Sequence, residues 1–204
     1  MSPTVLAAFV LTSVLIELTP GPNMAFLAIL SLNRGRWAGL AAVAGVASGL
    51  AVLGGLAALG VGELIAANRL LYQGLRWAGV AYLVWLAWDT YAVARRPIEA
   101  NIDHEPAIRH FRRGLVTNLL NPKAMLFYIT VMPGFVDLAR APLGQTLLLG
   151  AVYVTVATLV HAGVVLAAGV AQPLLVGTVS RQRLGLVFAL LLLGIAAWVA
   201  FSGA

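Results

Sequence analysis

A carboxylate and a broken backbone lie close together in the first apolar stretch of the chain. Glu17 is followed three residues later by Pro20, Gly21 and Pro22, and then by Asn23. Proline removes a backbone donor and clashes with the carbonyl four residues earlier, and glycine permits backbone angles that are closed to other residues. Backbone groups left open at membrane depth must be buried by protein or line a wet cavity. We therefore predict that these five residues form part of a substrate-binding site.

A second break, in the latter half of the chain, carries the opposite charge. Asn118, Asn121, Pro122 and Lys123 form it, and the two asparagines, three residues apart, share one helical face. The lysine could bind a substrate carboxylate or pair with Glu17. The alternative is a lysine that snorkels to the cytoplasmic interface. Because it follows the nearest arginine by ten residues, roughly 15 Å of helix, the sequence favours binding.

Two side chains are candidates for proton coupling. A carboxylate inside a membrane span costs roughly 2.5–3.5 kcal/mol, so Glu17 is expected to serve as a proton site or as the partner of an ammonium group. The alternative is a carboxylate near the outer boundary that is neutral or solvated. His161 lies in the middle of a later apolar run and can relay protons. A lone histidine is, however, more often hydrogen-bonded to a neighbouring carbonyl.

The composition indicates an all-α polytopic membrane protein. Of the 204 residues, 61% are hydrophobic and only 10% are charged, whereas a soluble domain has about 45–50% apolar and 25% charged residues. Twelve of the thirteen basic residues are arginines in short gaps between apolar runs, which is the positive-inside pattern and not a nucleic-acid-binding face. The absence of cysteine excludes thiol redox chemistry and thiolate metal ligands.

Hydropathy predicts six transmembrane helices, each needing about 20 apolar residues. They cover residues 3–32, 37–62, 70–94, 114–136, 143–171 and 184–202, and the first and fourth are broken at proline. A five-span arrangement remains an alternative. Nine of the twelve arginines fall in loops one, three and five. This bias predicts cytoplasmic odd-numbered loops and periplasmic termini.

The spans divide into two similar halves within a single transmembrane domain, residues 1–204. Residues 1–94 form the first three-helix repeat, residues 95–113 a cytoplasmic linker, and residues 114–204 the second repeat. With three spans per half, the second half enters the membrane in the opposite sense. Transporters built from inverted repeats bind substrate near the midplane, at broken helices from both halves. The GxxxG pattern from Gly45 to Gly49 favours close helix packing, and such small-residue faces would also permit a homodimer.

The motifs resemble those of the amino-acid exporter family of the lysine-exporter and homoserine/threonine-resistance type. The similarity rests on Pro20-Gly21-Pro22-Asn23 with Gly35, Gly39, Gly45 and Gly49, on Gly79, Tyr82, Leu83 and Leu86, and on Asn121-Pro122-Lys123-Ala124 with Phe127, Pro133 and Phe135. This resemblance implies an inner-membrane exporter driven by the proton-motive force, with functional weight on both proline motifs. Gly134 stands where the family often has glutamine, and His161 where aromatic or apolar residues are more usual. Either departure could mark a different substrate.

The two breaks with flanking ionisable groups predict a secondary transporter, and the family resemblance implies that it exports amino acids by proton antiport across the bacterial inner membrane. A neutral amino acid such as threonine, homoserine or leucine is favoured, because no acidic cluster in the spans would select a dibasic one. No catalytic residue, metal or cofactor is expected. A cation exporter of similar architecture is an alternative, although its spans should hold more carboxylates than Glu17 and Asp89. A membrane-embedded enzyme using Glu17, Lys123 and His161 is a less favoured one.

Overall fold

Proline and glycine determine where the first two helices end and begin. The computed structural model describes residues 1–19, 21–60, 68–95, 105–137, 139–171 and 178–201. Helix α1 (Pro3–Leu18) stops before the first break, and helix α2 (Pro22–Arg34) starts on a proline, with Gly21 as its extended N-cap. The two helices are bent by 57° relative to each other. The predicted interruption is thus present, although Pro20 itself lies outside the described residues.

The remaining described structure is also helical, as the composition predicts. Six further α-helices follow: α3 (Arg36–Ala58), α4 (Arg69–Arg95), α5 (Ala107–Leu119), α6 (Pro122–Leu126), α7 (Pro142–Ala171) and α8 (Thr178–Phe201). Between α6 and α7 the chain continues as a π-helical turn, Phe127–Val131, and a 3₁₀ turn, Met132–Phe135.

Helix α5 begins before the predicted fourth span. It starts at Ala107 and not at Gly114, so the last part of the predicted linker, residues 107–113, is helical. Residues 96–104 of that linker lie outside the described part of the chain. Hydropathy does not reveal these helical residues because three arginines lower the average, whereas the opposite face, with His110 and Gly114, is buried. A hydropathy window averages over all faces of a helix, so it does not detect a helix end that is apolar on one face only.

Glycines let α3 and α5 approach each other at backbone distance. A Cβ atom built on Gly45 would lie 2.0 Å from the carbonyl oxygen of Phe111, and one on Gly114 would lie 2.1 Å from the carbonyl oxygen of Ala42. Neither position has room for a side chain unless the backbone of the facing helix moves. This close approach confirms the packing interpretation of the GxxxG pattern and fixes α5, whose last turn leads into the second break.

Two of the described helices are long and apolar enough to cross a membrane. They are residues Arg36–Ala58 and Pro142–Val170, and the bent pair α1 and α2 adds a third span if it is counted as one. Within the described residues, α8 contributes a shorter apolar stretch, Gly185–Trp198. The chain is therefore a helical membrane protein by length and composition.

Candidate functional site

The two helix breaks lie against each other and line one small cavity. Its lining residues come from both breaks and from the middle of α7: Glu17, Gly21, Asn23, Met24, Asn121, Lys123, Ala124 and His161. Six of these eight were predicted from the sequence as site residues. The structure thus brings together the acid of the first half and the lysine of the second.

Lys123 reaches across the cavity to the first break. Its Nζ atom donates a hydrogen bond of 2.6 Å to the backbone carbonyl of Thr19, which lies just after α1, where carbonyl groups lack helical partners. A Cβ atom on Gly21 would lie only 3.1 Å from Cδ of Lys123. Lys123 therefore binds a backbone carbonyl group at the first break, and not the Glu17 carboxylate that the sequence also suggested as its partner.

The Glu17 carboxylate is buried, with 5% of its residue surface exposed, and it has a partner on each oxygen. Tyr153 donates its hydroxyl hydrogen to Oε1 at 2.5 Å, and Nε2 of His161 lies 3.1 Å from Oε2. The tyrosine distance is typical of a hydroxyl bonded to an ionised carboxylate. His161 thus faces a carboxylate and not the neighbouring carbonyl that a lone histidine more often bonds.

Pro22 and Pro122 each occupy the first position of a helix at a break. Pro122 is the first residue of α6, and Asn121 caps that helix by accepting a hydrogen bond of 3.0 Å from the backbone N–H of Lys123. Pro22 occupies the same position in α2. The Asn121 cap holds Lys123 at the start of α6, and the π-helical turn that follows α6 is a feature often found at functional sites.

Asn118 lies behind the cavity and does not line it. It is fully buried, and its Oδ1 atom accepts a hydrogen bond of 2.8 Å from Nδ2 of Asn23. The bond ties the last turn of α5 to the first turn of α2. Asn23 does line the cavity, and its Oδ1 atom has no hydrogen-bond partner among the described residues. The position of Asn118 indicates a supporting role, whereas Asn121 and Asn23 face the cavity.

Sequence reasoning missed Tyr153, which binds Glu17 directly. The residue lies in a forty-residue run without any charged side chain, where nothing distinguishes it from other apolar positions. Its spacing of eight residues from His161 places both on one side of α7, two turns apart, and is the signal that could have indicated it.

The site combines one acid, one amine, one imidazole and two amides in one cavity. Within the described ranges, no three His, Asp or Glu side chains converge as metal ligands do. The cavity thus places a carboxylate, an ammonium group and two amides around one space, with an imidazole beside the carboxylate.

The fold and the site thus define an all-helical membrane protein with a polar cavity between two interrupted helices. Residues 14–203 match the family model of the LysE type translocators. The chain belongs to this family.

Relatives with curated names extend this similarity. The chain is 30% identical over 157 residues to the homoserine/homoserine lactone efflux protein of Salmonella typhimurium, covering 76% of each chain. It is 34% identical over 137 residues to the leucine efflux protein of Klebsiella pneumoniae, covering 66% of this chain and 65% of the relative. An uncharacterized membrane protein of Pseudomonas aeruginosa is 36% identical over 173 residues. No solved structure gives a significant match to this chain.

Proposed function

We propose that the protein exports neutral amino acids from the cytoplasm by proton antiport across the bacterial inner membrane. The observation that carries this proposal is the cavity between the two breaks, with Glu17 on one wall and Lys123 on another. An amino acid carries an ammonium and a carboxylate group, so a cavity with one acid and one amine matches it. The names of the homoserine and leucine efflux relatives support the same substrate class.

In this proposal the substrate carboxylate binds Lys123. The lysine then gives up its hydrogen bond to the Thr19 carbonyl and bonds the negatively charged carboxylate instead. The ammonium group binds Glu17 and the free Oδ1 atom of Asn23, an acceptor without a partner in the described residues.

Proton coupling follows from the same carboxylate. Glu17 can hold a proton or an ammonium group, but it cannot hold both at low cost, so substrate release and protonation alternate. His161, whose Nε2 atom is 3.1 Å from the carboxylate, is the group that passes the proton on. Movement of the two halves of the protein about the cavity would then expose the cavity to each side of the membrane in turn.

The proposed membrane arrangement keeps six spans in two inverted repeats, residues 1–94 and 114–204, with periplasmic termini. Helices α4 and α8 have 27 and 24 residues. At 1.5 Å per residue they are roughly 40 and 36 Å long, enough for a hydrocarbon core of about 30 Å. The two breaks would then lie at corresponding places in the two halves.

An export screen tests the function. Cells that overexpress the chain are supplied with dipeptides of each neutral amino acid, and the intracellular and external amino acids are measured against cells with an empty vector. We expect one or a few neutral amino acids to accumulate outside and to stay low inside. Unchanged amino-acid levels, together with faster efflux of a divalent cation from vesicles, would instead support the cation exporter.

A lysine variant tests the binding mode. Lys123→Gln removes the only charge proposed to bind the substrate carboxylate, so we expect the half-saturation concentration to rise by about 10- to 100-fold. Radiolabelled transport in proteoliposomes measures this value. The control is Arg112→Gln, which removes an exposed cation of α5 that does not line the cavity. An unchanged half-saturation concentration in Lys123→Gln would refute the assignment.

A further inference from the structure

Tyr153 connects the acid of the first break to the helical turn after the second break. Its hydroxyl group lies 2.5 Å from Glu17, and its ring is stacked on the ring of Phe127, with centroids 3.6 Å apart and planes 13° from parallel. The ring also meets Tyr128 edge-on at 5.5 Å. All three aromatic side chains are buried, and Phe127 directly follows the last residue of α6.

The hydroxyl of Tyr153 donates to a carboxylate more strongly than to a neutral carboxyl group, because the acceptor charge roughly doubles the strength of such a bond. The bond therefore favours the charged form of Glu17. We propose that Tyr153 is a positioning residue that sets the pH at which Glu17 exchanges its proton and transmits this exchange to the turn at Phe127. The inference rests on the proposed function, since it assigns a role within proton coupling.

The other groups that face Glu17 are known and can be held constant. His161 lies on the same helix as Tyr153, two turns away, and binds the second carboxylate oxygen. Lys123 from α6 and Tyr128 from the π-helical turn lie within electrostatic range. None of them is altered by Tyr153→Phe, which keeps the ring and its stacking on Phe127 and removes a single donor.

The ring stack provides the route from the carboxylate to the second break. When Glu17 accepts a proton, its bond to Tyr153 weakens, whereas the ring contacts of Tyr153 with Phe127 and Tyr128 remain. Phe127 and Tyr128 both belong to the π-helical turn. A shift of the tyrosine ring would therefore change the packing of this turn, which directly follows α6 and Lys123. Protonation of an acid in the first half thereby alters the packing of the second half.

The test is the pH profile of transport by the full-length protein in proteoliposomes, using the radiolabelled neutral amino acid identified by the export screen. We expect Tyr153→Phe to move the midpoint of the profile to higher pH by about one to two units. Replacement of Tyr153 by 3-fluorotyrosine, a stronger donor of nearly the same size, should move the midpoint to lower pH. The control is Tyr82→Phe, which removes a hydroxyl group of α4 that is hydrogen-bonded to the Thr117 hydroxyl at 2.8 Å outside the cavity lining, and its midpoint should not move.

The outcomes separate this inference from the proposed function. If Glu17→Gln loses the pH dependence while Tyr153→Phe keeps the normal midpoint, the role of Tyr153 is refuted and the coupling role of Glu17 stands. If Glu17→Gln keeps the normal pH dependence, the proposed coupling is itself refuted. If Tyr153→Phe does not fold, the fluorotyrosine protein decides: a shift to lower pH supports the inference, and an unchanged midpoint overturns it.

Discussion

Glu17→Gln should reduce pH-driven export by about 100-fold, the largest functional effect that we expect from a single substitution. Glutamine has nearly the same shape and still accepts the hydrogen bond from Tyr153, so the change removes the charge and the proton site but little else. Removal of one partner from a buried charged pair costs about 2–5 kcal/mol, and each 1.4 kcal/mol corresponds to a factor of ten. Transport should fall for two reasons. The substrate ammonium group loses the Glu17 carboxylate that binds it, and residue 17 can no longer take up a proton when the substrate leaves.

The measurement is efflux from proteoliposomes under an imposed pH gradient, at equal amounts of inserted protein. Asp89→Asn is the matched control, because it also neutralises a carboxylate in a long helix, but one that lies in α4 outside the cavity lining. We expect this control to transport within about twofold of the unmodified protein, as substitutions away from buried networks usually cost less than 0.5 kcal/mol. Normal expression of Glu17→Gln with undiminished pH-driven export would rule out the coupling role.

The two breaks were predictable because proline and glycine act locally. Pro22 and Pro122 each open a helix, and Gly21 precedes Pro22. The interruptions therefore follow from the backbone properties of these residues themselves, which can be recognised in a short stretch of sequence. The opposite charges beside the breaks suggested that they meet. The structure places Lys123 and Glu17 on one cavity, and their roles in transport stay predictions.

The contacts within the site were less predictable, because they depend on how each helix is rotated about its axis. The spacing of Asn118 and Asn121 predicts a shared helical face, but α5 ends at Leu119 and Asn121 is the extended N-cap of α6. Asn118 therefore bonds Asn23 behind the cavity, whereas Asn121 lines it. Tyr153 is one of many apolar residues in α7, and only the rotation of that helix turns its hydroxyl toward Glu17. The early start of α5 was missed because one face is rich in arginine while the other packs on α3.

Gly45→Ala should have the largest effect on stability, because α3 and α5 meet there at backbone distance. The added methyl group would lie 2.0 Å from the Phe111 carbonyl oxygen and 2.8 Å from the Leu115 nitrogen, and both belong to the backbone of α5. Relief of this overlap requires the helices to separate. Overpacking of this kind lowers the free energy of unfolding by about 1–3 kcal/mol or more. For a protein of this size, the upper value corresponds to a decrease of roughly 10 °C in Tm.

Gly55→Ala is the control within the same helix, since nothing lies within 4 Å of the position where its Cβ atom would be. Alanine is the better helix former by about 1 kcal/mol, so this control should keep or slightly raise the Tm measured in detergent. Because α5 carries Asn118 and leads into α6, separation of α3 from α5 should also disturb the cavity, and Gly45→Ala should lose transport together with stability. Equal Tm values for the two alanine variants would contradict the close approach of α3 and α5 on which the position of the second break depends.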